Sequence, residues 1–148
     1  IQGTNYRMTN VQASLLYEQL NDIETILNLK SKLYDYYIEL FSKFIEKGNM
    51  KLIKQEEKTE HSKWIFSLII PNLRYNNFEN YMNEKNIQIR PLFYDINEHK
   101  HLKDIKNNFE KIKTNEGFML PSYPELTKIQ QEYIYTCIID YCMLNNIF

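Results

Sequence analysis

One amphipathic segment constrains the fold more than any other feature of this sequence. Its apolar side chains recur at steps of three and four residues, the spacing of one helix face: Leu16, Leu20, Ile23, Leu27, Tyr34, Tyr37, Phe41 and Phe44. Thr9 followed by Gln12 has the pattern of a capping box, which satisfies free backbone N–H groups at a helix start. Gly48 supplies a typical residue just past a helix end. The pattern predicts a long helix over 9–47, about 55 to 60 Å in length if unbroken, with an apolar face to bury.

The rest of the chain alternates between strand-like and helix-like segments. The predicted elements are a short strand at 51–54, an interior strand at 64–70, a helix opening at Asn76, a strand at 87–93, a helix at 102–113 and a last helix capped by Thr127 and Gln130. The strand at 64–70 is predicted to be interior because both of its faces are apolar and Pro71 ends it. Strand, helix and strand in this order predict a mixed α/β fold.

Composition limits the classes of function. A chain of 148 residues with 43% apolar residues can bury one core, so a single domain is expected. The formal charge of -1 leaves no strong positive field, which argues against binding to nucleic acid or anionic lipid. No run of about 18 apolar residues and no secretory signal pattern occurs, and a cytoplasmic protein is therefore expected. Because Ile1 to Asn5 reads like the middle of a loop, we expect a preceding segment in the parent protein.

The cysteines and histidines do not form a metal-binding pattern. Cys137 and Cys142 lie five positions apart on a predicted helix, so their side chains point in different directions. We predict that both are buried as small apolar residues. His99 and His101 have no accompanying cysteine or carboxylate pattern, so no metal site is predicted there.

Three segments of the sequence resemble one enzyme family. Residues 3–13 read G-T-N-Y-R-M-T-N-V-Q-A and closely resemble the G-x-N-Y-R-M-T-x-x-Q-A segment of the DegT/DnrJ/StrS family of nucleotide-sugar aminotransferases. Residues 89–94, I-R-P-L-F-Y, resemble its I-x-x-R-P-F-F strand, and residues 120–127 resemble its L-P-S … L-T helix entry. Residues 61–64 lie where this family tends to have an aromatic strand start. Within the family, the R-P-F-F version resembles the perosamine-synthase type, which aminates carbon 4 of a 4-keto-6-deoxyhexose.

The resemblance implies a fold and a domain organisation. It implies the small C-terminal domain of a fold-type I aminotransferase that depends on pyridoxal 5'-phosphate (PLP), with a small, mainly antiparallel sheet flanked by helices. Residues 1–148 would form one domain, made of an active-site loop at 1–8, a connecting helix at 9–47 and an α/β part at 51–148. No lysine has the sequence context of the family's PLP lysine, so that catalytic residue is expected upstream of this chain. The fragment alone is expected to be inactive.

The resemblance also implies site residues. It assigns Asn5 to the PLP phosphate in the partner subunit, where a neutral amide can donate a hydrogen bond without adding charge. Arg7 and Tyr6 would contact the substrate, and Arg90 would be a second substrate-binding residue at the mouth of the site. The alternative is that Asn5 and Arg7 belong to a polar loop before a helix cap, and that Arg90 is a surface arginine on an edge strand.

The expected activity is transfer of an amino group from an amino acid, expected to be glutamate, to a keto-sugar nucleotide by a homodimer with shared active sites. The family's usual P-x-H after the strand is replaced by Asp95-Ile96-Asn97, with His99 as the nearest histidine, which leaves the sugar specificity open. Three alternatives stay open: a family sugar dehydratase that has histidine in place of the lysine, a truncated product that binds a partner without catalysis, and a coiled-coil interaction protein. Lys30 and the aromatic residues in the apolar seam argue against the coiled coil.

Overall fold

The computed structural model describes residues 6–53, 55, 57–94, 99 and 113–148. In chain order these residues form α1 (Asn10–Asn21), α2 (Ile23–Glu46), β1 (Phe66–Ile69), α3 (Tyr75–Glu84), β2 (Arg90–Pro91), a short 3-10 turn (Thr114–Glu116), β3 (Gly117–Leu120) and α4 (Lys128–Leu144). The helix predicted at 102–113 falls outside the described residues except for Lys113, which is not helical.

The predicted long helix has the expected ends but is interrupted once. At its start, the backbone N–H of Thr9 donates to Gln12 Oε1 over 2.9 Å, and the capping box is complete. At its end, Gly48 adopts a left-handed φ of 77°. A single unbroken helix was nevertheless the wrong prediction, because the chain leaves the helical conformation at Asp22. Asn21 and Asp22 are poor helix formers whose short polar side chains compete for backbone hydrogen bonds, which accounts for the break.

The two helices differ in burial. α2 buries Leu33, Tyr37 and Phe41, whereas α1 has no buried residue. Apolar side chains of α1 are open to solvent, with Val11 72% exposed and Leu15 65% exposed. The apolar pattern of α2 is therefore explained by packing within this chain, and that of α1 is not.

The sheet has three strands in the order β1-β3-β2, and both pairs are antiparallel. Phe66 lies opposite Leu120, and Arg90 lies opposite Met119. Since β3 runs antiparallel to both neighbours, β1 and β2 are parallel to each other and are connected through α3, an arrangement known as a split β-α-β unit. The small, mainly antiparallel sheet and the mixed α/β class are confirmed.

Three details of the predicted strands were wrong. The central strand is β3, which was not predicted, and not the segment at 64–70. β2 extends over Arg90–Pro91 only, much shorter than the predicted 87–93. Lys51 makes a single bridge to Ile69 in place of the strand at 51–54, and Lys54 is not among the described residues.

One face of the sheet forms the core with the helices. The fully buried side chains on this face of the two longer strands are Phe66, Leu68, Phe118 and Leu120. Ring centroids lie 4.8 Å apart for Tyr37 of α2 and Phe66, and 4.7 Å apart for Phe78 of α3 and Phe118. From α4, the amide of Gln131 donates to the Leu33 carbonyl over 2.9 Å. The core thus takes up the apolar face of α2, which contradicts the coiled-coil alternative for that helix.

Both cysteines lie in this core as unpaired thiols on α4, as predicted. Burial raises the pKa of the Cys142 thiol to about 12, so the thiolate is not formed near neutral pH. Over the part of the chain that the structure describes, no helix is both long enough and apolar enough to cross a lipid bilayer.

The core predicts a measurable difference between two adjacent tyrosines. Tyr37 is fully buried and its hydroxyl donates to the Pro121 carbonyl over 3.1 Å, whereas the Tyr36 hydroxyl donates to the Glu132 carboxylate at the surface. Tyr37→Phe should lower the free energy of unfolding by about 1 to 2 kcal/mol, because a half-buried carbonyl loses its donor. Tyr36→Phe is the matched control and should change it less, since water replaces a surface donor. Urea unfolding followed by circular dichroism measures both, and equal losses would contradict the assignment of Tyr37.

Candidate active-site pocket

The described residues line an open pocket of about 700 Å³ at the edge of the sheet, where β2, the end of β3 and the start of α4 meet. The lining residues are Ile65, Lys85, Asn86, Ile87, Gln88, Arg90, Met119, Leu120, Pro121, Ser122, Tyr123, Leu126, Gln130, Tyr133 and Ile134. Two of the three segments that carry the family resemblance, 89–94 and 120–127, therefore share one pocket.

The charge of the pocket favours an anionic ligand. No aspartate or glutamate is among its lining residues, and the two charged ones are Lys85 and Arg90. The Lys85 ammonium lies 5.5 Å from the centroid of the Tyr81 ring, and the Lys85 carbonyl accepts a hydrogen bond from the Tyr133 hydroxyl. Arg90 is therefore the cation that we assign to the pocket, and a planar guanidinium suits bidentate contact with phosphate or carboxylate.

The Leu120-Pro121-Ser122 segment forms a fixed turn in the pocket wall. Ser122 Oγ accepts a hydrogen bond from the backbone N–H of Phe66 over 2.9 Å and donates to the Leu120 carbonyl over 2.8 Å. Tyr37 donates to the Pro121 carbonyl from the other side. The turn is therefore held by Phe66 at the start of β1 and by Tyr37 of helix α2.

The predicted entry of the last helix completes the same wall. The Thr127 backbone N–H donates to Gln130 Oε1 over 2.9 Å, and the capping box predicted for these two residues is present. Because Gln130 also lines the pocket, the start of α4 faces this cavity.

Two exposed aromatic rings, close in sequence to residues that line the pocket, stack on each other. Trp64 and Phe93 have ring centroids 6.4 Å apart and ring planes inclined by 14°. They are 64% and 71% exposed, although large apolar rings are usually buried. Trp64 precedes the lining residue Ile65, and Phe93 follows Arg90 by three positions, so this stacked pair adjoins the pocket along the chain.

The predicted residues of the first segment lie elsewhere. Tyr6 and Arg7 are exposed ahead of α1, with Tyr6 92% exposed, and neither lines the pocket. Asn5 lies outside the described residues, as do Asp95 to Asn97. Of the three predicted substrate-binding residues, only Arg90 lines the pocket, and it is exposed on the edge strand β2.

His61 packs against helix α2. The Lys63 backbone N–H donates to His61 Nδ1 over 2.9 Å, and the His61 ring packs 5.1 Å from the Tyr34 ring. Among the residues that the structure describes, no three or more His, Cys, Asp or Glu side chains cluster as metal ligands would, and His101 lies outside that part.

The lysines near the pocket do not suit a covalent link to PLP. Such a link needs a lysine nitrogen that points into the site. The Lys30 nitrogen donates to the carbonyls of Trp64 and Ser122, the Lys63 nitrogen pairs with Asp35, and the Lys85 nitrogen lies over Tyr81. The nitrogens of these three lysines are therefore occupied by other contacts. The pocket can still contribute contacts to an anionic ligand. From the sequence alone, Lys30 was identified only as an interruption of the apolar helix face at 9–47.

Comparison with known proteins agrees with the resemblance seen in the sequence. The model of the DegT/DnrJ/EryC1/StrS aminotransferase family matches residues 1–139. The chain is 26% identical over 148 residues to a GDP-perosamine synthase of Vibrio cholerae, a match that covers 93% of this chain and 38% of that protein. It is 25% identical over 145 residues to a GDP-perosamine synthase of Escherichia coli O157:H7, covering 94% of this chain and again 38% of the relative. The chain thus spans 38% of the length of these curated relatives.

Solved structures share the fold. A DegT DnrJ EryC1 StrS aminotransferase from Brucella abortus superposes with a TM-score of 0.72 at 15% identity, over 95% of this chain and 40% of that one. DesV of S. venezuelae, solved in complex with a ketimine intermediate, gives a TM-score of 0.71 at 15% identity, over 95% of this chain and 38% of its own. At this identity the likeness establishes the fold alone.

Proposed function

Since this chain belongs to the DegT/DnrJ/EryC1/StrS aminotransferase family, we propose that it is one part of a PLP-dependent enzyme that transfers an amino group from an amino acid to a keto-sugar nucleotide. The observation that carries the proposal is the pocket around Arg90, which has no lining carboxylate and is built from two of the family's motif segments. Such a pocket suits the anionic part of a nucleotide sugar. The amino donor that we propose is glutamate.

We propose a 4-keto-6-deoxyhexose as the sugar. Two relatives named GDP-perosamine synthase match over 93% and 94% of this chain, which supports this substrate class. The R-P-L-F-Y sequence at 90–94 supports it as well, because it resembles the version found in this subgroup.

Each site residue would have a separate role. When bound, PLP would supply an electron sink for the amino transfer. Asn5 would donate a hydrogen bond to the PLP phosphate, and Tyr6 and Arg7 would contact the substrate. Arg90 would hold the anionic group of the nucleotide from the small-domain side. The lysine that binds PLP would come from a part of the enzyme outside this chain.

The separation of the motif segments supports a homodimer with shared active sites. Tyr6 and Arg7 do not line the pocket that contains Arg90, so one copy of this chain does not bring all three residues together. The exposed apolar residues of α1 provide a surface that another part of the assembly could bury. We propose that residues 5–7 complete the site of the partner subunit. A cytoplasmic location is part of this proposal, and the two unpaired cysteines support it.

The complete coding sequence provides the first test of this function. We expect the purified full-length protein to be yellow from bound PLP and to transfer isotope-labelled nitrogen from glutamate to a GDP-linked 4-keto-6-deoxyhexose. Mass spectrometry of the sugar product measures this transfer. A colourless protein that leaves the sugar unlabelled would contradict the proposal, and histidine in place of the PLP lysine would instead indicate the dehydratase.

Substitution of the arginines tests their assignment to the substrate. In the full-length enzyme, Arg90→Ala and Arg7→Ala should each raise the KM for the nucleotide sugar about 10-fold or more, because a charge-assisted hydrogen bond is lost. The half reaction with glutamate should stay within about twofold, since it does not involve the sugar. Arg74→Ala is the control, because Arg74 is exposed and does not line the pocket. If both half reactions slow equally in Arg90→Ala, Arg90 has a structural role.

A further inference from the structure

Lys30 connects helix α2 to two strand ends. Its ammonium donates to the carbonyls of Trp64 and Ser122, which are 34 and 92 positions away along the chain. Trp64 lies just before β1, and Ser122 lies just after β3. Lys30 lies on a helix face that is otherwise largely apolar. It therefore contacts the sheet near the start of β1 and the end of β3.

These two carbonyls lie where the antiparallel ladder stops. Phe66 and Leu120 form the last pair of the ladder, so Trp64 and Ser122 each lie two positions beyond it. The Ser122 carbonyl is half-buried, and such a backbone group needs a partner once the ladder no longer supplies one. Ser122 Oγ accepts from the Phe66 N–H at this point, and Lys30 supplies donors to the carbonyls. Side chains thus supply the hydrogen bonds that strand pairing no longer provides at these positions.

Partial burial of Lys30 fits this role. Desolvation lowers the pKa of its ammonium from the ordinary value for lysine. A charged group placed there requires polar partners, and two carbonyl oxygens provide them. Desolvation of the charged group consequently costs more free energy at Lys30 than at a surface lysine such as Lys32, which is exposed.

One of the two carbonyls belongs to a residue that lines the Arg90 pocket, and the other belongs to the sequence neighbour of a lining residue. Ser122 lines the pocket, and Tyr123 follows it in the same wall. Trp64 stacks on Phe93, and Ile65 next to it is another lining residue. One ammonium therefore links the pocket wall to the backbone of Trp64, a member of the stacked aromatic pair.

We propose that Lys30 is a positioning residue, which fixes the Ser122 turn and Trp64 relative to each other and thereby sets the affinity of the Arg90 pocket for the nucleotide sugar. The effect on substrate affinity rests on the proposed function. The fixed relation between Trp64 and the turn does not.

Four variants of the full-length enzyme separate positioning from simple stabilisation. Lys30→Met removes the donors but keeps an unbranched side chain of similar length, whereas Lys30→Arg keeps a cation with several donors. Lys30→Gln keeps a neutral donor and replaces Lys30→Met in the comparison if that variant does not fold. Lys32→Met is the matched surface control.

The first measurement follows Trp64 directly. Subtracting the near-ultraviolet circular dichroism of the same protein carrying Trp64→Phe isolates the signal of this tryptophan, the only one in the chain. We expect Lys30→Met to reduce the isolated signal by about half or more, because the indole is no longer held at a fixed angle to Phe93. Lys30→Arg should retain most of it, and Lys32→Met should leave it unchanged.

The second measurement separates KM from kcat. Lys30→Met should raise the KM for the nucleotide sugar about five- to tenfold, while kcat and the glutamate half reaction stay within about twofold. Lys30→Arg should restore at least half of the lost affinity on a logarithmic scale. Lys32→Met should behave as the wild type.

A purely structural role gives a different result. If Lys30→Met lowers the melting temperature but leaves the Trp64 signal and the KM unchanged, the proposal is wrong. A wild-type enzyme that does not act on nucleotide sugars would overturn the proposed function and the substrate part of this inference. The Trp64 signal would still decide whether Lys30 holds the wall, so the two failures are distinguishable.

Discussion

The structure depends on the packing of the apolar face of α2 against the sheet. Tyr37 is the centre of this contact, since its ring stacks on Phe66 of β1 and its hydroxyl donates to the Pro121 carbonyl beyond β3. Burial of large aromatic rings is among the largest favourable contributions to a small core. The same contact aligns the ends of both strands, and the pocket forms at these ends. Core packing and the geometry of the site are therefore coupled.

Local patterns predicted the starts of the first and last helices because the determinants of a helix cap are close in sequence. Thr9 with Gln12 and Thr127 with Gln130 form the capping boxes expected from their spacing. β3 was missed because a run of four residues that begins with Gly117 has no clear periodicity, and its pairing partners are distant along the chain. Whether a strand is central or at an edge likewise depends on long-range pairing, which explains the wrong position of the 64–70 segment.

Part of the candidate site was also predictable. Arg90 and the Leu120-Pro121-Ser122 turn were selected by resemblance to a family, and the structure brings both to one pocket. Lys30 could not be selected in this way, because its partners lie 34 and 92 positions away and its role exists only in the folded chain. The available signal was a lysine within an apolar helix face, which usually indicates either a polar partner in the core or an edge of that face.

The central claim is that two subunits share each active site, with residues 5–7 contributed by the partner. Mixing two impaired full-length variants, assayed at a nucleotide-sugar concentration well below the wild-type KM, tests it most directly: one lacks the PLP lysine and the other carries Arg7→Ala. If the claim is right, refolding them together restores activity up to roughly a quarter of the wild-type level, because half of the dimers are hybrids with one intact site each. If Arg7 acts within its own subunit or not at all, the hybrids contain no such restored site and activity stays at the level of the separate variants.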